Sequence, residues 1–197
     1  MKIYFLRHGQ TAWNKIKRIQ GSIDVELSKL GEQQADELGN ELLCKKIELS
    51  KIYTSTQKRA IRTAEIIAGK LAIPVVESDR IREINLGDWE GKTWEEVERQ
   101  YYQQFYNWLN KRRFTIPPGG ESYQKLLERV VPEIELIIQM NTKDIAIVTH
   151  SAVIMCVRCL VDNTAFEKMD QYKIDNLDIY EFDERLLDQV KQRLFMR

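Results

Sequence analysis

The chain has 197 residues, and its thirty basic side chains balance its thirty acidic ones. This length suits one domain with a sizeable core, and the balanced charge argues against a partner that is a nucleic acid or an anionic membrane. The sequence has no long apolar run and no signal-peptide pattern, which predicts a soluble cytoplasmic protein.

Predicted strands and helices alternate along the chain. The predicted strands are residues 2–6, 51–54, 74–77, 145–149 and 179–182. The predicted helices are residues 29–44 and 58–71, one aromatic helix over about 94–108, a helix that begins after Ser122 and is expected to kink at Pro132, residues 152–161, and the last dozen residues. Residues 11–25 are predicted to form a loop over the end of the sheet, and residues 80–91 an irregular segment.

This alternation predicts the fold class α/β, with a three-layer α/β/α sandwich around a mostly parallel central sheet. The chain shows no repeat, linker or low-complexity tract, so residues 1–197 are predicted to be a single domain. Residues 92–116, between the irregular segment and a Pro-Pro-Gly-Gly turn, are predicted to form a small helical cover.

The numbers and positions of the cysteines and histidines limit which kinds of disulfide, metal and catalytic site the chain can form. The three cysteines, Cys44, Cys156 and Cys159, form no disulfide framework, which argues against a small secreted scaffold. Cys156 and Cys159 have C-x-x-C spacing, but no second pair could complete a zinc site, so helix packing is expected. The chain has only two histidines, His8 and His150, and both follow apolar runs typical of strands.

Reactive or anion-binding side chains follow three predicted strands. They are Arg7 and His8 at the first, Ser55 and Arg59 at the second, and His150 and Ser151 at the fourth. Parallel strands gather their carboxyl ends at one edge of a sheet, where α/β proteins bind ligands. With Glu83 nearby, these groups suit phosphate, because arginine matches its oxygens and a neutral histidine can act as a nucleophile.

Four motifs, in this order, resemble those of the histidine phosphatase superfamily, also called the phosphoglycerate mutase-like family. They are residues 6–14 (LRHGQTAWN), 55–64 (STQKRAIRTA), 82–91 (REINLGDWEG) and 148–151 (VTHS). The resemblance implies that His8 is a nucleophile that becomes phosphorylated and that Glu83 donates a proton to the leaving oxygen. It also implies phosphate-binding roles for Arg7, Arg59, His150 and Asn14.

Other positions are weaker candidates. Gln20 and Gly21, in the loop after the first strand, and Ser151 are substrate-binding candidates. Ser151 stands where the family commonly has glycine, so it either crowds the pocket or donates a hydroxyl. Gln10 replaces the family's usual glutamate, which removes a charge but no core catalytic group. The basic run at 111–113 is either a solvated surface or an anion-recognition patch.

The predicted function is that of a metal-independent phosphomonoesterase acting on a small organic phosphate, with no cofactor. Two arginines and a second imidazole can neutralise a phosphoryl group without a metal ion. The compact chain resembles broad-specificity and α-ribazole phosphatases, which makes α-ribazole 5′-phosphate a candidate substrate. Two alternatives stay open, namely a cofactor-dependent phosphoglycerate mutase, which the short 92–116 segment disfavours, and a non-catalytic phosphate- or protein-binding domain. The sequence also leaves open whether the protein is a homodimer.

Overall fold

A five-stranded sheet lies at the centre of the computed structural model, which describes residues 1–195. The strands are β1 (Lys2–Arg7), β2 (Ile52–Ser55), β3 (Val75–Ser78), β4 (Ile145–Thr149) and β5 (Ile179–Asp183). Their order is β3-β2-β4-β1-β5, and only β5 is antiparallel to its neighbour. The predicted mostly parallel sheet is therefore confirmed.

Helices cover both faces of this sheet. They are α1 (Ala12–Lys15), α2 (Lys29–Cys44), α3 (Lys58–Leu71), α4 (Trp94–Gln100), α5 (Tyr102–Asn110), α6 (Tyr123–Gln139), α7 (Ser151–Asp162) and α8 (Leu187–Phe195). Short 3₁₀ segments lie at Asp79–Ile81, Gly87–Trp89, Phe166–Tyr172 and Glu184–Leu186. Within the described residues no helix has the length and apolar character needed to cross a membrane.

The alternation of side chains along β1 separates two cores. Ile3 and Phe5 belong to the cluster that includes residues of α6, α7 and α8. Tyr4 and Leu6 point the other way and belong to the cluster formed with α2 and α3. Successive strand residues face opposite sides of a sheet, so this pattern produces the three-layer sandwich that the sequence predicted.

Two local predictions were wrong. The loop predicted at 11–25 contains α1, because Thr11 and Asn14 cap its first turn reciprocally. The single cover helix is two helices, because the backbone of Tyr101 leaves the helical conformation between α4 and α5. Helix α6 continues through Pro132, where a kink was expected. Proline lacks the N–H that would bond the carbonyl four residues earlier, at Glu128, and because Glu128 and Pro132 are both exposed, water can bond that carbonyl instead.

Helices α4 and α5, which lie in the segment predicted to form a cover, are attached to the rest of the protein by aromatic packing. Trp108 is buried and meets Trp89 edge to face, with ring centroids 5.4 Å apart. Trp94 stacks on Trp108 at 5.5 Å. Aromatic pairs in these geometries add to the free energy of burial, so these rings act as packing that holds α4 and α5 in place.

The basic run at 111–113 is not a free anion-recognition patch. The guanidinium of Arg112 is buried above the Trp108 ring, at 4.5 Å, and donates to Asp170 at 2.7 Å. Arg113 donates to the backbone carbonyls of Arg193 and Leu194. Both arginines are therefore engaged by the protein's own groups: Arg112 joins this part of the chain to the 3₁₀ segment Phe166–Tyr172, and Arg113 joins it to α8.

Candidate active site

The register of β1 and β4 brings the two histidines together. Arg7, the last residue of β1, pairs with Thr149, the last residue of β4. His8 and His150 each follow directly, and the His8 N–H donates to the Thr149 carbonyl at 3.0 Å. The two imidazole rings lie with their centroids 5.2 Å apart. This edge of the sheet therefore holds two adjacent buried imidazoles.

The imidazole of His8 is held in one tautomer. Its Nδ1 lies 2.7 Å from the carbonyl oxygen of Gly9. A carbonyl can only accept, so Nδ1 carries the proton and Nε2 keeps its lone pair. Burial, with the charges of Arg59 and Arg7, holds the pKa of His8 well below its ordinary value. The ring is therefore neutral near pH 7, with Nε2 as a nucleophilic nitrogen.

His150 is also buried and neutral. Burial is the main cause of its lowered pKa, followed by the charge of Arg59. Its Nε2 lies 2.9 Å from the hydroxyl of Ser55, the last residue of β2. Its Nδ1 is buried and has no hydrogen-bond partner within residues 1–195. That nitrogen is available to a ligand.

The two arginines are fixed by backbone carbonyls. Arg59, in the first turn of α3, donates to Ile23 at 2.8 Å and to Gly21 at 2.9 Å. Arg7 donates to Ile174 at 2.6 Å. Burial lowers the pKa of Arg59 to about 10, so it stays charged at neutral pH. The Nε of each arginine is buried and unpaired in the described part of the chain, which leaves donors for an anion.

Glu83 lies on the segment that follows β3. Its two carboxyl oxygens accept from the N–H of Ile84 at 3.0 Å and, more weakly, of Ala152 at 3.4 Å. Burial raises the pKa of Glu83, against the lowering effects of the Ile84 N–H and the Arg59 charge. A carboxyl with a raised pKa keeps its proton to a higher pH than an ordinary glutamate does, which suits a proton donor.

Gly21 and Asn14 make contacts within the protein, whereas the amide oxygen of Gln20 is buried without a hydrogen-bond partner within residues 1–195. Gly21 has a φ of +52°, and an added Cβ would lie 2.1 Å from a carboxyl oxygen of Glu90, so this position favours glycine. The Gly21 carbonyl accepts a hydrogen bond from Arg59. The side chain of the neighbouring Gln20 is buried. Asn14 accepts the Thr11 N–H at 3.0 Å through its oxygen.

The two departures from the family pattern lie in different places. The side-chain oxygen of Gln10 accepts from Ser28 at 3.2 Å, so this residue contacts the start of α2. Ser151 is half-buried at the first position of α7, directly after His150. Ser151 is therefore adjacent to the site, and Gln10 is attached to the helix beside it.

Sequence reasoning missed three polar residues near the site. Asn176 donates to the carbonyl of His8 at 2.7 Å. Because β5 is antiparallel to β1, the residues before β5 lie at the same sheet edge as the ends of β1 and β4. Predicting that the last strand is antiparallel would therefore have placed Asn176 near the site. Arg129 and Gln57 contact the Glu83 segment. The position of Arg129 on α6 gave no signal of this contact, whereas Gln57 lies within the 55–64 motif, in which only Ser55 and Arg59 were singled out.

Arg129 holds the backbone of the Glu83 segment, residues 80–85, in place through hydrogen bonds. Its guanidinium donates to the carbonyls of Arg80 and Arg82 at 2.8 Å and of Glu83 at 2.9 Å. It also pairs with Glu121 at 2.8 Å, whose carboxylate accepts from the backbone of the same segment. This irregular segment thus obtains from side chains the hydrogen bonds that a helix or strand would supply.

A cavity of about 220 Å³ adjoins this segment, lined by Ser22, Arg82, Glu83, Asn85, Glu121 and Arg129. Its lining is polar and carries both signs of charge. Among the residues described, no group of three or more His, Cys, Asp or Glu side chains is arranged to hold a metal ion.

Comparison with known proteins identifies the class. The model of the histidine phosphatase superfamily, branch 1, matches residues 3–190, and the chain belongs to this superfamily. It is thus an enzyme of the phosphatase type, in which a histidine nucleophile is typical.

Individual relatives carry several names. Phosphoglycerate mutase-like protein 4 of Arabidopsis thaliana is 39% identical over 158 residues, which cover 78% of this chain and 67% of that protein. Putative phosphoserine phosphatase 2 of Hydrogenobacter thermophilus is 31% identical over 91% of this chain and 88% of its own length. The solved structure of Bacillus stearothermophilus YhfR superposes with a TM-score of 0.83 at 32% identity, over 92% of this chain and 90% of that one.

Proposed function

We propose that this protein is a metal-independent phosphomonoesterase that acts on a small organic phosphate through a phosphohistidine intermediate on His8. The observation that carries the proposal is the hydrogen bond from Nδ1 of His8 to the Gly9 carbonyl, at 2.7 Å. It leaves the Nε2 lone pair in a buried site that also contains the charges of Arg7 and Arg59.

In the first step Nε2 of His8 attacks phosphorus in line, and an N–P bond forms as the P–O ester bond breaks. Glu83 gives its proton to the leaving oxygen, so the product is a neutral alcohol. The raised pKa of Glu83 supports this role, since the carboxyl must be protonated when the ester breaks. Arg7 and Arg59 neutralise the charge on the phosphoryl oxygens.

In the second step the roles reverse. Glu83, now a carboxylate, takes a proton from water, whose oxygen attacks phosphorus. The N–P bond breaks, its electron pair returns to Nε2 of His8, and inorganic phosphate leaves. Nδ1 of His150 supplies a further donor to the phosphoryl oxygens, and so does the amide nitrogen of Asn14, whose oxygen is already engaged.

The substrate is expected to carry a small, polar alcohol group. The 220 Å³ cavity at the Glu83 segment supports this, because arginine, glutamate, serine and asparagine line it. Phosphoserine is a candidate through the similarity to a protein named as a phosphoserine phosphatase. α-Ribazole 5′-phosphate stays a prediction from the motif resemblance.

A phosphoglycerate mutase is the second candidate, favoured by the relative named phosphoglycerate mutase-like protein 4. A mutase must shield its phosphorylated histidine from water through many cycles, which needs a closed cover. Here the cover consists of two short helices, α4 and α5, packed on Trp89. Such a cover favours hydrolysis over retention.

The test uses the purified protein after dialysis against EDTA. p-Nitrophenyl phosphate and a panel containing phosphoserine, 3-phosphoglycerate and α-ribazole 5′-phosphate are assayed for released phosphate. Release from at least one metabolite is expected. Isomerisation of 3-phosphoglycerate that depends on 2,3-bisphosphoglycerate would establish the mutase instead, and failure to turn over any ester would favour the binding domain. Activity lost to EDTA and restored by Mg²⁺ or Zn²⁺ would contradict metal independence.

A further inference from the structure

The amide of Gln57 joins two parts of the active site that lie on different segments. The residue precedes α3 and is buried, with 4% of its surface exposed. Its oxygen accepts the N–H of Glu83 at 2.9 Å, and its nitrogen donates to the carbonyl of Gly21 at 3.0 Å. Both ends of one amide are therefore engaged.

The Gly21 carbonyl is also the group that orients Arg59. The same oxygen accepts from a guanidinium nitrogen of Arg59 at 2.9 Å. The backbone N–H of Gln57 further lies 3.3 Å from the hydroxyl of Ser55, which contacts His150. A continuous set of hydrogen bonds therefore runs from the backbone N–H of Glu83, through the Gln57 amide and the Gly21 carbonyl, to the guanidinium of Arg59.

We propose that Gln57 is a positioning residue that fixes the carboxyl of Glu83 relative to the guanidinium of Arg59. The inference rests on the proposed function, in which Arg59 holds the phosphoryl group while Glu83 protonates the oxygen that leaves it. These groups act on the two sides of one breaking bond. A displacement of about 1 Å between such groups can cost on the order of 10²-fold in rate.

The amide of Gln57 meets two needs at once, because it carries both an acceptor and a donor. The Glu83 N–H requires an acceptor and the Gly21 carbonyl can use a donor, and a buried site gives water little access to replace either. Methionine has nearly the same length and flexibility as glutamine but offers neither strong group. Gln57→Met therefore removes the bridge while filling the space.

The experiment measures single-turnover phosphorylation of His8 with two esters, an alkyl phosphate and p-nitrophenyl phosphate. The alkyl ester needs a proton from Glu83, whereas p-nitrophenolate leaves with little help. Gln57→Met is expected to slow the alkyl ester ~10-fold or more beyond its effect on the p-nitrophenyl ester. Gln33→Met, the same change on the exposed surface of α2, is the matched control and should leave the rate ratio unchanged.

A double-mutant cycle separates positioning from general damage. In a Glu83→Gln background, Gln57→Met should no longer change the ratio of the two rates, because the group it positions is gone. If Gln57→Met does not fold, Gln57→Asn keeps the amide on a shorter side chain, and the same fall in the alkyl rate is expected.

Two negative results have different meanings. A folded Gln57→Met protein whose rate ratio equals that of the wild type overturns the inference, even if its stability is lower. A wild-type protein that hydrolyses neither ester overturns the proposed function itself. The wild-type measurement therefore distinguishes the two failures before any variant is compared.

Discussion

The hydroxyl of Ser55 and Nε2 of His150 lie 2.9 Å apart, between the ends of adjacent strands β2 and β4. When His150 is neutral and the hydroxyl donates, Nε2 is the acceptor and the proton lies on Nδ1. That nitrogen is buried and unpaired within residues 1–195. The pair therefore prepares His150 as a hydrogen-bond donor to a phosphoryl oxygen rather than as a second nucleophile.

Ser55→Ala should weaken this preparation without removing it. The loss of one hydrogen bond, worth roughly 0.5–1.5 kcal/mol, predicts a fall of up to about 10-fold in kcat/KM. Steady-state kinetics with p-nitrophenyl phosphate measures it. Ser50→Ala, the same change just before β2, is the control and should retain wild-type kcat/KM. A Ser55→Ala enzyme with unaltered kcat/KM would show that the hydroxyl does not set the tautomer.

His8→Ala should abolish turnover while the fold is retained, since it removes the attacking nitrogen. The wild type, quenched during turnover of a ³²P-labelled ester, should carry phosphate that is labile in acid and stable in base. The variant should carry none. Circular dichroism serves to establish that the variant is folded. Undiminished hydrolysis by His8→Ala would refute the phosphohistidine mechanism.

Glu83→Gln should affect esters according to their leaving groups. General acid catalysis is typically worth ~10²–10⁴-fold, so phosphorylation by an alkyl phosphate should slow far more than phosphorylation by p-nitrophenyl phosphate. Single-turnover rates are required, because the variant also loses its base in the second step. Equal slowing of both esters would reduce Glu83 to a structural role and make Asp88 the next candidate for the acid.

Arg129→Met should destabilise the protein, because it leaves three backbone carbonyls and Glu121 without their donor. Two of these carbonyls are solvent-exposed and the other partners are partly buried, so the loss should cost about 1–3 kcal/mol. Urea denaturation measures the free energy of unfolding. Arg185→Met, at an arginine whose side chain is 85% exposed, should change it by less than about 1 kcal/mol. An equal loss of unfolding free energy in the two variants would show that Arg129 does not stabilise the Glu83 segment.

The two histidines should make stability depend on pH below their ordinary pKa of 6.5. Their pKa values are lowered in the folded state, so below pH 6.5 the unfolded chain binds protons that the folded protein does not. The free energy of unfolding therefore falls as pH falls, by up to about 1.4 kcal/mol per pH unit for each histidine.

His8→Asn should remove roughly half of this histidine-dependent slope, as measured by urea denaturation between pH 5 and 7. Glu83 acts with the opposite sign, because its raised pKa favours the folded state at low pH. It is present in both proteins, so to a first approximation its contribution cancels in the comparison. A His8→Asn variant with the wild-type slope would mean that His8 is not held neutral by the fold.

Local patterns were enough to predict the strands, most helices and the position of both histidines at the end of a strand. The apolar run Ile145–Thr149 reads as a buried strand because both faces of a central parallel strand are covered. Arg7, His8 and His150 could be proposed as neighbours because parallel strands end at one edge, a consequence of chain topology rather than of side-chain detail.

Only the tertiary structure decided contacts between segments distant in sequence. The break at Tyr101, the attachment of Arg112 to Asp170 and the bridge made by Gln57 depend on how packed elements meet. Hydrophobic periodicity indicates which face of a helix or strand is buried, but not which residues pack against that face. The protonated nitrogen of His8 is likewise set by a single carbonyl at 2.7 Å, a geometry that residue spacing does not encode.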